Sequence, residues 1–429
     1  MSNICVVIVD PYSSGAMLAN ELRAQNVKCI AVESTSELSP EMKSKFNPDG
    51  FSEVIQHQQD LDQTLQSIRQ HQPTHVIPGF ESGVELADWL SNQLSLPCNE
   101  PKQHDARRDK FRMTELVRAD GLRTAKQFRS NDVEEILCWI RDTLAWPVIV
   151  KPLKSVASDH VFCCSSADEV RDAAEAVLSQ KNVLGSRNAA VLVQEFLNGT
   201  EYAIDIVNFA GQKKITAIWQ YYRPPSSQDF VCYDAMTLLP YTGNRQDALR
   251  SYAFDVMDAL GIQFGPAHCE LMWVDGEPVF VEVGVRMSAG INATLSRICG
   301  GICQLDKTVE ILLSPDRFLA TLDDQPCLEK RAVNVFLIPQ RQGRLLRARG
   351  LDQIQKLPTL HSMSAATKPG EMLSRVAGLV TMVHEDIEAI QRDVGVIRSL
   401  EREGIFEVEH EVQVEALRQS PKIEYEHEH

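Results

Sequence analysis

The 429-residue chain is short of positive charge: 43 lysines and arginines stand against 59 aspartates and glutamates, a net charge of −16. That balance argues against a nucleic-acid backbone as the main partner. No run approaches the roughly 18 apolar residues of a membrane span, so no membrane partner is expected. The start, M-S-N-I-C-V-V-I-V-D, has neither a basic leader nor a cleavage site and does not read as a signal peptide. Eleven cysteines are present without a single C-x-x-C. Scattered thiols of this kind read as buried and free in a reducing cytoplasm, not as zinc ligands or disulfides. Glycine-rich phosphate loops are missing too. The segment Asp10–Gly15, D-P-Y-S-S-G, has neither G-x-G-x-x-G nor the G-K-[ST] ending. With 44% hydrophobic and 24% charged residues, a mostly disordered chain is excluded. The length suits two to four structural units, with no internal repeat and no low-complexity linker.

What is present centres on Phe264–Gly290, F-G-P-A-H-C-E-L-M-W-V-D-G-E-P-V-F-V-E-V-G-V-R-M-S-A-G. Two apolar runs, Ala267–Val274 and Val279–Val285, flank an Asp-Gly-Glu-Pro turn and predict a β-hairpin. Glu270 and Glu282 fall opposite each other, or within one residue of it, where alternation predicts burial. Directly paired side chains lie about 5 Å apart, and two like charges that close need a cation between them. Magnesium shared with a substrate phosphate takes one or two protein carboxylates and leaves its other positions to phosphate and water. The plainer reading is two strand glutamates at a solvated margin. Arg286 follows just past the strand. His268 shares a strand face with Glu270, either bounding a substrate pocket or as a satisfied core histidine.

Upstream, Ile4–Val9 and Val27–Val32 bracket a helical stretch in a β-α-β opening. His75–Pro78 is a short strand ending in G-F-E-S-G. Its Glu81 lies where ligands of open α/β sheets bind, or is a first-turn acid favoured by the helix dipole. Pro101–Gly121 reads as one helix with a basic start, R-R-D-K-F-R. Lys110 could reach a phosphate there, although a solvated face is the default for such a run. Pro147–Lys151 is an apolar strand ending in lysine, and the loop Pro152–His160 after it could close its backbone N–H groups over phosphates. Val191–Val193 leads into Q-E-F-L-N-G-T-E (194–201), which suits an adenine site, with Glu201 placed for ribose hydroxyls. Helices are expected over Ala248–Leu260, Asn292–Cys303, Leu305–Leu313 and Ile387–Glu403, and strands near Val333–Pro339 and Leu379–His384. The tail, E-Y-E-H-E-H, reads as polar and frayed.

In this order the parts resemble the ATP-grasp superfamily, and within it the L-amino-acid ligases, the bacterial dipeptide synthetases. The motifs that carry the resemblance are R-R-D-K-F (107–111), V-I-V-K-P (148–152), V-Q-E-F-L-N-G-T-E (193–201) and the hairpin. It implies an α/β fold with an α+β grasp core. The expected division is a Rossmann-like N-terminal domain (1–120), a lid (121–193), a catalytic core (194–328) and a β-rich C-terminal subdomain (329–429). It implies ATP-phosphate contacts from Lys110, Lys151 and Ser158, an adenine hinge at Gln194, Glu195 and Leu197, and a ribose contact from Glu201. Glu270 and Glu282 would hold Mg2+, two ions by the family pattern, with Mn2+ able to substitute. Arg286 would be the catalytic arginine that steadies the transferred phosphoryl group, and Glu81 and His268 would join it in binding substrate. The implied reaction joins two amino acids through an acyl-phosphate, in a soluble enzyme that could form a homodimer. The alternatives are a carboxylase or nucleotide-precursor ligase of the same fold, or a degenerate nucleotide-binding scaffold. Two departures stand out. The usual E-x-N-x-R is here Glu282-Val283-Gly284-Val285-Arg286, so a liganding asparagine is missing, unless another group such as Asn292 substitutes. The lid loop, usually glycine-rich, has no glycine between Lys151 and Cys164.

Overall fold

The computed structural model describes residues 4–35, 46–155, 159–180, 187–223, 233–325, 327–409 and 412–413. Ser158 and the acidic tail lie outside the described residues.

Three sheets carry the chain. The first holds β1 (Cys5–Val9), β2 (Lys28–Glu33), β3 (Glu53–Gln56) and β4 (His75–Pro78), all parallel, in the order β3-β2-β1-β4. Every residue of β1 is buried, as expected of a parallel strand covered on both faces. The carboxyl ends of β1 and β4 come unusually close. A Cβ on Gly79 would meet the Asp10 carbonyl at 2.6 Å, so only glycine allows this approach. Asp10, wholly buried, accepts from the Ser34 amide (2.7 Å), the Ser34 hydroxyl (2.5 Å) and the Ser82 hydroxyl. The three donors tie β2 and β4 together at the crevice.

The second sheet is antiparallel: β5 (Gln127–Ser130), β6 (Val148–Pro152), β7 (Phe162–Cys164) and β8 (Val191–Glu195), in the order β5-β8-β6-β7. Helices Val133–Thr143 and Ala167–Ser179 bury Ile136, Ile140, Val170, Ala173, Ala174 and Val177 in its core.

The third sheet is the largest. It contains β9 (Thr200–Phe209), β10 (Gln212–Tyr222), β11 (Ala235–Leu238), β12 (Gly265–Val274), β13 (Glu277–Gly284) and β14 (Arg331–Leu337). After two short strands, β15 (Arg341–Gln342) and β16 (Leu345–Ala348), it takes in β17 (Leu360–Ala365) and β18 (Gly378–His384). Its order is β13-β12-β9-β10-β11-β14-β18-β17, antiparallel throughout. The sheet therefore runs straight across the division expected at residues 328/329. Helix Asn244–Ala259 packs Leu249, Tyr252, Ala253, Val256 and Met257 into the cluster that holds Ile204, Ile206, Cys269 and Leu271. The late helix spans Ile387–Glu403, with the bounds that its periodicity predicts.

The single helix expected over Pro101–Gly121 is two pieces, a 3-10 turn at Pro101–Arg107 and an α-helix at Lys110–Ala119. The break follows from the side chains. Arg107, only 1% exposed, donates to the Leu260 carbonyl at 2.5 Å, while Arg108 turns the other way to Glu81. Asp109 then caps the new helix through the Arg112 amide at 3.0 Å. Of the basic run, Arg107, Arg108 and Lys110 are buried, and Arg112 is exposed beside Asp105. The helix expected to reach Cys303 stops at Ile298, ahead of Gly300 with φ +85°. All ten described cysteines are free, although Cys138 and Cys327 are exposed, not buried.

Candidate active site

The site is built on one face of β9, β12 and β13. Register places Glu270 directly across from Glu282, Ala203 beside Glu270, and Met272 beside Glu201. Residues two apart share a face, so Glu201, Asp205, His268, Glu270 and Glu282 lie on the same side. The antiparallel second sheet faces them and contributes Lys151 from the end of β6. Between the two lies a cavity of about 200 Å3, lined by Lys110, Lys151, Gln194, Glu195, Leu197, Glu201, Glu270, Glu282 and Arg286. Tyr233 and Arg223 line it as well.

Its charges are arranged in pairs. The Lys110 ammonium lies 2.5 Å from a Glu282 carboxylate oxygen and donates to the Ser155 carbonyl at 3.3 Å. Burial alone would raise the Glu282 pKa, but Lys110, Lys151 and Arg286 outweigh it and hold the group down to about 2. The Lys151 side chain is 6% exposed and has no hydrogen bond or ion pair among the described residues. Burial pulls its pKa down to about 8, with Glu282 pulling the other way. An ammonium in that state is suited to a phosphate.

Two residues expected to touch substrate have other partners. Glu81 does not line the cavity. Its Oε1 lies 3.0 Å from Arg108 Nε and its Oε2 lies 3.0 Å from Arg286 Nε. A buried carboxylate flanked by two guanidiniums is no seat for an ammonium. His268 is also outside the lining: its Nδ1 lies 2.6 Å from Asp205 and its Nε2 3.4 Å from Glu270. Asp205 in turn accepts from the Trp219 indole at 2.7 Å. Burial would lower the His268 pKa, yet Asp205 and then Glu270 hold it up at about 9. His268 therefore sits beside Glu270 on the same face, held between it and Asp205. Asn292, the other candidate for the missing ligand, does not line the cavity, and its side-chain oxygen accepts from Asn334 at 2.7 Å.

The hinge residues differ in what they leave open. The Gln194 side chain donates to Gln127 at 3.0 Å, and the Glu195 amide is committed to the Lys126 carbonyl at 2.9 Å. Leu197 lines the cavity, and its main chain makes no hydrogen bond among the described residues. The polar edge of a base would meet Leu197. Glu201 is 5% exposed and held by the Arg223 guanidinium and by the Tyr233 hydroxyl at 2.7 Å. Burial raises its pKa, with Arg223 opposing. Arg223 and Tyr233 lie outside every motif of the sequence, and Arg108, although inside R-R-D-K-F, has no role assigned by it. Each is defined by a partner far away in the chain.

A metal would find oxygen donors only. Among the described residues no cluster of three or more His, Cys, Asp or Glu side chains could hold an ion by itself. Two paired carboxylates with room for phosphate oxygens fit Mg2+, which keeps several non-protein ligands, and do not fit a closed zinc or calcium cage. In their present arrangement Lys110 neutralises the position where such an ion would sit.

Comparison with known proteins places this geometry. Residues 144–295 match the ATP-grasp domain family. The chain carries an ATP-grasp domain. The ATP-grasp fold extends beyond that match. An L-amino acid ligase structure from Bacillus licheniformis superposes with a TM-score of 0.73 at 17% identity, covering 95% of this chain and 99% of that one. The ADP complex of N5-carboxyaminoimidazole ribonucleotide synthetase follows at 0.69 and 14%, covering 93% and 97%. Among curated relatives, dapdiamide A synthase of Enterobacter agglomerans is 27% identical over 408 residues, 92% of this chain and 95% of its own length. D-alanine–D-alanine ligase of Pelagibacter ubique is 26% identical over 198 residues, 46% of this chain and 55% of its own. No helix among the described residues is long and apolar enough to cross a membrane.

Proposed function

We propose that this ATP-grasp protein is an ATP-dependent carboxylate–amine ligase that joins two amino acids into a dipeptide. The observation that carries the reading is the convergence of Lys110, Lys151 and Arg286 on the strand face that bears Glu270 and Glu282. ATP-dependent ligation is the activity that the ATP-grasp match and the named ligases support together. The dipeptide product is the finer part of the inference.

In this scheme Lys151 and Lys110 bind the ATP phosphates, and Lys110 releases Glu282 to do so. Bound Mg2+, held by Glu270 and Glu282, would neutralise charge on the phosphates. The carboxylate of the first amino acid attacks the γ-phosphorus, ADP leaves, and an acyl-phosphate forms. The amine of the second attacks the acyl carbon, expels phosphate and loses a proton. Phosphoryl transfer of this kind is mostly positioning and charge neutralisation, which is what these side chains offer. Arg286 would hold the anionic acyl-phosphate.

A phosphate-release screen over pairs of amino acids, with mass spectrometry of the products, tests the proposal. Amino-acid-dependent release with a dipeptide mass is expected, and Glu282→Ala should lower it by about a hundredfold or more, the usual cost of removing a charge-stabilising group. Full activity in that variant would sink the metal assignment. The second reading draws on the full-length likeness to the ribonucleotide synthetase. Release that requires bicarbonate and ignores amino acids would establish it instead.

A further inference from the structure

Gly284 stands in Glu282-Val283-Gly284-Val285-Arg286 where the ATP-grasp resemblance leads one to expect an asparagine. Its backbone does not require glycine, since its φ lies outside the left-handed region. What it supplies is room. A Cβ at 284 would lie 2.9 Å from Arg286 Cζ, 3.0 Å from Arg286 Nη2 and 3.1 Å from Glu81 Oε2. The guanidinium thus lies folded back across the end of β13, over the space that any side chain would fill. There its Nε faces Glu81 at 3.0 Å and its Nη1 donates to the Met287 carbonyl at 3.1 Å. Glu81 Oε2 has no aligned hydrogen bond, so its hold on Arg286 is a charge contact between buried groups. The other oxygen is anchored by Arg108 Nε, and Arg108 also donates to the Glu81 carbonyl.

We propose that Glu81 is a positioning residue for Arg286, and that Gly284 is the specific feature of this chain that lets it act. Glu81 fixes the Nε side of the guanidinium, the Met287 carbonyl takes a donor of Nη1, and the Arg286 side chain lines the cavity. A guanidinium pinned on one side and open on the other is preorganised for an anion, here the acyl-phosphate. Arg108 holds Glu81 in place through its Oε1 and its carbonyl. The assignment of the anion rests on the ligase reading above; the positioning does not.

Two variants and their combination test this. Glu81→Gln removes the charge that holds Arg286. Gly284→Ala crowds the flexible end of Arg286 and, at 3.1 Å, Glu81 Oε2, while keeping the Glu81 charge, so it carries the test if Glu81→Gln fails to fold. Each should lower kcat by about tenfold or more, the scale expected for misplacing a reacting group by an ångström, while KM for ATP stays within about twofold. The double variant should be no worse than the poorer single one, because both act through the same contact. A readout besides activity is the rate of phenylglyoxal modification at Arg286, followed by peptide mass spectrometry. It should rise in both variants, while buried Arg107 stays protected as evidence of an intact fold. Multiplicative losses in the double variant, or an unchanged rate at Arg286, would overturn the proposal. A wild-type enzyme inactive with every amino-acid pair would sink the ligase reading alone, since the modification rates still decide the positioning.

Discussion

Lys151 ends a strand that would otherwise be wholly apolar, and its ammonium reaches the cavity without a partner among the described residues. Burial lowers its pKa to about 8. Below that value the free protein offers a cation to phosphate; above it, a ligand must recruit a proton as it binds. Affinity for MgADP should therefore weaken as pH rises past 8, by up to about tenfold per unit. Lys151→Arg, whose guanidinium keeps its proton, should flatten the profile. Calorimetric titrations between pH 7 and 9.5 would show it, and a flat wild-type curve would contradict the assignment. At this scale the sequence was partly legible. A lysine near the end of an apolar strand and two glutamates within one residue of facing each other across a turn announce themselves by pattern; a bulge between Glu270 and Leu271 completes the pairing. Arg223, Tyr233 and Arg108 do not, because each acquires its meaning only from a partner across the fold, Glu201 or Glu81. Glu81 looked like a ligand for substrate because its strand end was visible and its two arginines were not.

Elements were legible where period and punctuation agree. The hairpin, the β-α-β opening and the helix Ile387–Glu403 follow from their patterns. The break before Lys110 does not, since it is forced by Arg107 and Arg108 reaching in opposite directions. Strand β11, four buried residues reading A-M-T-L, offers no alternation to detect. The helix Ile387–Glu403 is tied to the start of that strand by one arginine. Arg398, 3% exposed, lies 2.9 Å from Asp234 Oδ1 and 2.5 Å from Glu401 Oε2, and donates to the Asp234 carbonyl at 2.7 Å. Arg398→Leu would leave two buried carboxylates without their cation, a loss of about 3–5 kcal/mol. Urea denaturation should show a lower midpoint with an unchanged slope. A loss under about 1 kcal/mol would mean that water replaces the arginine at little cost.

For the whole molecule, the central fact is that β11 pairs with β14 and β14 with β18 in the sheet that carries Glu270 and Glu282. Separate opening of the C-terminal strands would have to strip a main-chain ladder from buried β11. Hydrogen exchange should therefore find β14 and β18 protected to the same level as β9 and β12, as parts of one cooperative unit. Much faster exchange in β14 and β18 would show two units. The same pairing governs what happens when the chain is shortened. A polypeptide ending at residue 328 would keep the cavity residues from Lys110 to Arg286, yet it would leave Ala235, Met236 and Thr237 without their β14 partners, an uncovered row of backbone donors and acceptors. Such a row is a template for another chain. The C-terminal quarter thus serves the enzyme as a guard against self-association, and a truncated form would be expected to polymerise instead of turning over substrate.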